Sequence, residues 1–227
     1  IELDDFAHET AKLSLWLTEH QMNLAFKGVF GDARPTLPLQ DSGNITCGNA
    51  TRLDWELVCP KTDIKNKVCY EVYIIGNPPY LGTRNQKTMH KDDMELLFKG
   101  INKFKSFDYI TAWFYKASMF IVNTKNKYSF VTTNSVSQGD QVGIIWNLVL
   151  IKNLEIYFVH SSFRWSNNAK KNAGVTVQII GIRNKSSSYK YIWRNEHKTL
   201  VSNISPYMVR GSNIVVSRSS KPLNKLP

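Results

Sequence analysis

Apolar residues recur at helical spacing from Phe6 to about Met22: Phe6, Leu13 and Leu17 along one line, Ala7, Ala11 and Leu15 along the next. This pattern predicts an amphipathic helix, with Asp4 or Asp5 as its cap and Glu9 early in its run. Before it, Ile1-Glu2-Leu3-Asp4 reads as the end of a strand. After it, a loop with Gly31, Pro35 and Pro38 leads to a short strand, Asn44 to Cys47, closed by Gly48-Asn49-Ala50. Lys67 to Ile75 is rich in Val, Tyr and Ile and predicts a third strand. It stops at Gly76-Asn77-Pro78-Pro79-Tyr80, because proline has no N–H to give a ladder.

Leu81 to Lys91 is polar and reads as a loop. A helix is expected from about Asp108 to Val122, a strand over Tyr128 to Thr133 and a helix near Gln141 to Leu150. Leu154 to His160 and Gly174 to Arg183 predict two more strands, and Tyr189 to Arg194 a further one before a loop-like end. Strands alternating with helices define an α/β fold with helices on both sheet faces. The pair 154–160 and 174–183, with no helix between, is expected as an antiparallel pair at one edge of a mostly parallel sheet.

Composition narrows the class. The 227 residues are 42% hydrophobic and 12% aromatic, enough to bury a core, and this excludes a disordered chain. No apolar run approaches the ~18 residues of a spanning helix. Cys47, Cys59 and Cys69 form no CxxC pair and the five histidines show no ligand spacing, so neither a disulfide framework nor a metal site is expected. A reducing compartment fits.

The net charge of +11 is placed unevenly. Residues 151–227 hold 13 Lys+Arg and two acids, while 1–150 hold 16 of each sign. A neutral body with a basic end fits a polyanionic partner such as nucleic acid. A solubilising surface, or a tail whose acidic complement lies elsewhere, fits it too.

The sharpest chemical signal is Asn77-Pro78-Pro79-Tyr80. A chance Asn-Pro-Pro-aromatic in a chain this long arises about once in a thousand. Open α/β sheets bind ligands outside the carboxyl ends of their strands, where this run is predicted to lie. A rigid proline turn leaving a strand is the plain structural reading.

The tetrapeptide resembles the catalytic motif of class I S-adenosylmethionine-dependent amino-methyltransferases, which implies a Rossmann-like sheet. The chemistry such a motif serves is specific. An exocyclic adenine amine is a poor nucleophile because its lone pair is delocalised into the ring. Two acceptors, the Asn77 side-chain oxygen and the Pro78 carbonyl, would bind both amine protons and concentrate the lone pair on nitrogen. Pro78 and Pro79 add no competing N–H. Tyr80 would stack on a base flipped out of the duplex.

The resemblance extends along the chain. Glu2 matches the acidic strand end that holds the cofactor ribose, with Leu3 against the adenine ring. Gly48-Asn49-Ala50 matches the next cofactor motif, with Asn49 at the adenine amine, although Asp is frequent there. Phe130 to Ser135 with Gln138 to Gln141 resembles the strand-end loop below the target base. Ser162 to Asn167 resembles the aromatic hairpin, in which Phe163 would stack opposite Tyr80. Arg164, Lys170 and Lys171 would lie near the DNA backbone.

The wording is closest to the MmeI-like (type IIG/IIL restriction–modification) branch. The helix ending Glu19-His20-Gln21-Met22-Asn23, the Phe163 to Asn167 run and Arg218 to Leu223 carry that assignment. The expected function is therefore adenine-N6 methylation of double-stranded DNA from S-adenosylmethionine, in the bacterial cytoplasm, within a larger restriction–modification or phage-defence protein. The glycine-rich cofactor loop of that family is not found, which implies a fragment missing its front edge and weak in cofactor binding alone. The resemblance divides the chain into a partial catalytic domain, 1–183, and a basic connector, 184–227, toward a target-recognition domain. Two alternatives stand beside it: a non-catalytic nucleic-acid-binding module with a degenerate methyltransferase fold, and a methyltransferase acting on RNA or protein glutamine.

Overall fold

The computed structural model describes residues 1–32, 45–63, 65, 67–101, 103–150, 153–165 and 175–216. The chain forms two compact units, Ile1–Pro60 and Lys61–Pro227.

In the first unit the expected helix is longer than its apolar pattern, α1 (Asp5–Phe30). Asp4 caps it, accepting from the Ala7 N–H at 2.9 Å. It ends at Gly31, whose φ of 79° is the left-handed cap and whose N–H returns to the Lys27 carbonyl. The two expected short strands are reduced to a single parallel bridge, Glu2 to Cys47. The Glu2 N–H donates to Thr46 O at 3.0 Å and the Gly48 N–H to Glu2 O at 2.8 Å. One bridge forms because the chain turns into α1 at Asp4 and into a turn after Gly48. A one-turn helix, α2 (Trp55–Val58), starts on Asp54, which accepts from the Glu56 N–H.

The second unit opens with β1 (Thr62–Asp63) and β2 (Val68–Cys69), a small antiparallel pair, followed by β3 (Tyr73–Gly76). The strand expected over Lys67 to Ile75 is thus split. Lys67 sits at φ 54°, and the Val72 N–H is taken by Asn126 Oδ1 at 2.8 Å. Then come α3 (Thr88–Phe98), α4 (Thr111–Ile121), β4 (Lys127–Thr133), α5 (Asp140–Leu150), β5 (Leu154–Arg164), β6 (Thr176–Asn184), β7 (Lys190–Arg194) and β8 (His197–Val201).

Six strands form one sheet in the order β3-β4-β6-β5-β7-β8. Pairs β3/β4 and β5/β7 are parallel; β4/β6, β6/β5 and β7/β8 are antiparallel. The sheet is therefore mixed rather than mostly parallel. The β5–β6 hairpin lies inside it rather than at an edge, because β7 and β8 continue the sheet beyond β5.

One sheet face carries the core. Tyr128 and Phe130 alternate inward on β4 and meet Phe114 of α4 edge-on, which in turn meets Trp146 of α5. Ile156 and Val159 of β5 and Ile180 and Ile182 of β6 complete this layer. Beside it, α3 and the segment before α4 bury Met94, Phe98, Phe107, Tyr109 and Ala112, with Leu81 packed against them. On the other face, Phe158 lies across Gly181. A Cβ at Gly181 would stand 2.2 Å from the Phe158 ring, so only glycine fits under it. No described helix is long and apolar enough to cross a membrane.

Candidate active site

Strand directions gather the candidate residues of the second unit. β3 and β4 are parallel, and two antiparallel steps through β6 return β5 to the same direction. The carboxyl ends of β3, β4 and β5 therefore share one end of the sheet. Asn77 to Tyr80 follows β3 directly, Asn134 to Ser137 follows β4 as a 3₁₀ turn, and Phe163 and Arg164 close β5. Thr133, Val177 and Phe163 stand in one row across the sheet.

At this end Asn77 and Pro79 are exposed, Pro78 is buried and Tyr80 is half-buried. The Tyr80 hydroxyl donates to Asn77 Oδ1. Burial raises the Tyr80 pKa above its ordinary value, so the hydroxyl stays a donor through neutral pH. Ser162 Oγ donates to Asn134 Oδ1 at 2.7 Å, tying the end of β5 to the turn after β4. The Phe163 ring meets His160 edge-on at 5.0 Å and leans toward Trp165 at 6.4 Å. The Trp165 N–H donates to Val175 O, which holds the ends of β5 and β6 together. Arg164 is exposed. Lys170 and Lys171 lie outside the described residues.

In the first unit the Glu2 bridge brings Glu2 and Leu3 beside Gly48, Asn49 and Ala50. Glu2 Oε1 accepts from the Leu3 N–H at 2.9 Å. Asn49 Oδ1 accepts from the Thr51 N–H and hydroxyl. Leu3 is 60% exposed, an apolar side chain open to a ligand. Nearby, Asp5, His8 and Cys47 bring donor atoms within 4.8 Å of one another. His8 Nε2 is held by Ile45 O at 3.0 Å, and Nδ1 already faces Glu9 Oε1 at 3.0 Å. All three cysteines are free.

Two further residues at the motif escape a sequence reading. Asp108 and Gln86 are buried polar side chains turned on the backbone of Leu81, the residue after Tyr80. Burial raises the Asp108 pKa, opposed by backbone N–H donors from Ile110, Leu81 and Tyr109. Asp108 signals itself in the sequence only as an acid before a helix, and Gln86 sits in a polar run with no signal at all.

A strand–turn motif of Asn-Pro-Pro-Tyr beside two further strand ends, on a mixed sheet backed by helices, is the arrangement of a Rossmann-like methyltransferase. The family described as "MmeI, DNA-methyltransferase domain" matches residues 1–194, and the chain belongs to it. It is 48% identical over its whole length to "DNA methyltransferase A" of Bacillus subtilis (strain 168), of which it spans 26%. Its fold matches a solved structure of the type IIL restriction-modification enzyme MmeI in complex with DNA, with a TM-score of 0.89 and 33% identity. That match covers all of this chain and 30% of the other. The expected family and the Rossmann-like α/β fold are thereby established, with a mixed sheet in place of the mostly parallel one, and the chain spans about a quarter of the length of the curated relative it matches.

Proposed function

We propose that this DNA-methyltransferase domain transfers a methyl group from S-adenosylmethionine to the N6 amine of an adenine flipped out of double-stranded DNA. The observation that carries the reading is Asn77-Pro78-Pro79-Tyr80 at the carboxyl end of β3, beside the ends of β4 and β5. Asn77 Oδ1 and the Pro78 carbonyl accept the two amine protons and localise the nitrogen lone pair. The Tyr80 hydroxyl, which holds Asn77 Oδ1 in the free protein, gives way to the incoming amine. Tyr80 and Phe163 then hold the base between two aromatic faces, each stacking contact supplying ~1–3 kcal/mol against unstacking. Catalysis is positioning and local electrostatics rather than strong-base chemistry.

The first unit suits the cofactor. A carboxylate at Glu2 can accept from two ribose hydroxyls, Leu3 offers an apolar face to the adenine, and Asn49, with Ala50 next to it, offers a polar side chain at the following turn. S-adenosylmethionine would supply an electrophilic methyl on sulfonium. Arg164, with Lys170 and Lys171, would contact phosphates and give salt-dependent affinity without sequence choice.

Residues 1–183 are read as part of a catalytic domain and 184–227 as a basic lead-in, through β7 and β8, to a target-recognition region. The whole protein is read as a restriction–modification or phage-defence enzyme of the bacterial cytoplasm. The full-length gene product, incubated with duplex DNA and S-adenosylmethionine, should produce N6-methyladenine on nucleoside digestion. N4-methylcytosine, methylated RNA or methylglutamine in its place, or no methyl transfer, would overturn the reading.

A further inference from the structure

Leu81 begins the chain's exit from the tetrapeptide, and it is held through its side chain and its carbonyl. Its side chain packs against the cluster of Met94, Phe98, Phe107, Tyr109 and Ala112. Its carbonyl accepts from the Tyr109 N–H at 3.0 Å and from Gln86 Nε2 at 3.1 Å. The residue beside Tyr109 is Asp108, whose carboxylate accepts from the Ile110 N–H and so fixes the turn that presents the Tyr109 N–H to Leu81. Both polar side chains are anchored in turn. Gln86 Nε2 also donates to Phe107 O at 2.9 Å, and Asp108 accepts from the Ile110 N–H at 3.3 Å. Behind them the Asp108 N–H donates to Gln141 Oε1, and the Tyr109 hydroxyl donates to Asp93 Oδ2 at 2.6 Å. Gln86 is 9% exposed and Asp108 7%. Buried polar groups are costly unless bonded, and here Gln86 bonds to Leu81 and Phe107 and Asp108 to Ile110, all through backbone atoms.

We propose that Gln86 and Asp108 are positioning residues that aim Tyr80 at the target base by holding Leu81, Gln86 directly at its carbonyl and Asp108 through the turn that presents the Tyr109 N–H to that carbonyl. Leu81 follows Tyr80 directly and shares a peptide plane with it, so a fixed Leu81 anchors the Tyr80 Cα and narrows where its side chain starts. The inference rests on the proposed roles of Asn77 and Tyr80. Neither Gln86 nor Asp108 touches the base; they act through the backbone. A loosened motif still binds DNA but holds the extruded base poorly, and a misplacement of about 1 Å near a reacting centre costs about a hundredfold in rate.

The test uses the full-length gene product and duplex DNA. Asp108→Ala and Gln86→Met should each lower kcat about a hundredfold. The Kd for DNA and the KM for S-adenosylmethionine should stay within about twofold of wild type. With 2-aminopurine at the target position, both variants should show a reduced fluorescence rise on binding, a readout that simple loss of stability does not change per active molecule. Asp108→Asn keeps an acceptor oxygen and should regain most of kcat. If Asp108→Ala does not fold, Gln86→Met, which preserves volume, decides alone. Wild-type kcat and fluorescence in Gln86→Met, or a loss matched by an equal fall in active fraction, overturns the inference. Asn77→Ala run alongside separates the failures. If it is inactive while Gln86→Met is normal, only this inference falls; if it is fully active, the proposed function falls first.

Discussion

Gly181→Ala tests whether the β5–β6 hairpin is packed as described. The new Cβ would lie 2.2, 2.3 and 2.9 Å from three carbons of the Phe158 ring, where carbon atoms normally rest ~3.5–4.0 Å apart. The ring must therefore move by more than an ångström. It is flanked edge-on by Tyr157 at 4.8 Å and by Trp193 at 5.9 Å, so moving it breaks other contacts. Overpacking that displaces a flanked ring this far falls in the upper part of the usual range, about 2–3 kcal/mol. Alanine in place of glycine in a strand returns about 0.5–1 kcal/mol. The net loss is then about 1–2.5 kcal/mol, a fall in Tm of about 2–10 °C for a chain of this size. Thermal unfolding followed by tryptophan fluorescence reads it, and Phe158→Leu supplies the second arm of a double-mutant cycle. The two substitutions together should destabilise less than their sum by at least about 0.5 kcal/mol. Additive losses, or a Gly181→Ala chain as stable as wild type, would show that the ring does not lie on Gly181.

Three further outcomes follow from the same geometry. Glu155, with 5% of its side chain exposed, is the shared partner of Arg183 and Lys190 at 2.8 Å each, so Glu155→Ala leaves two buried cations facing each other. It should cost about 3–5 kcal/mol in denaturant unfolding, and a loss under about 1 kcal/mol would contradict the network. Phe163→Ala should cut kcat on duplex DNA by about 5- to 150-fold, the kinetic equivalent of ~1–3 kcal/mol of stacking, with a smaller deficit when the target adenine is mismatched. Equal loss on both substrates would remove Phe163 from base capture. Arg164→Ala should reduce the slope of log K against log salt by about 0.9, one phosphate contact, without changing which sites are methylated. An unchanged slope would place Arg164 off the backbone.

Helices α4 and α5 were legible because their buried residues are apolar and in phase: Phe114, Ala117 and Ile121 in one, Val142, Ile145, Trp146 and Val149 in the other. Helix α3 was not, because it buries only Asp93, Met94 and Phe98 within a polar run. Strand β8 escaped for a related reason. It is the sheet's last strand, with all but Val201 exposed, so no apolar alternation marks it. The placing of β5 and β6 inside the sheet depends on β7 pairing parallel to β5, a long-range choice that local pattern does not encode. At the candidate site, the place of Asn77 to Tyr80 at a strand end could be read because two prolines in a row stop a ladder. Gln86 and Asp108 could not, because their partners are backbone atoms, and backbone partners leave no trace in side-chain pattern.

The most direct test of the account is Asn77→Ala in the full-length gene product, assayed for methyl transfer to duplex DNA with DNA and S-adenosylmethionine affinities measured alongside. If Asn77 is the acceptor that localises the amine lone pair, as proposed, its loss should lower kcat by about a hundred- to a thousandfold and leave both affinities within about twofold. Full activity in that variant would contradict the central claim that Asn77 performs the chemistry.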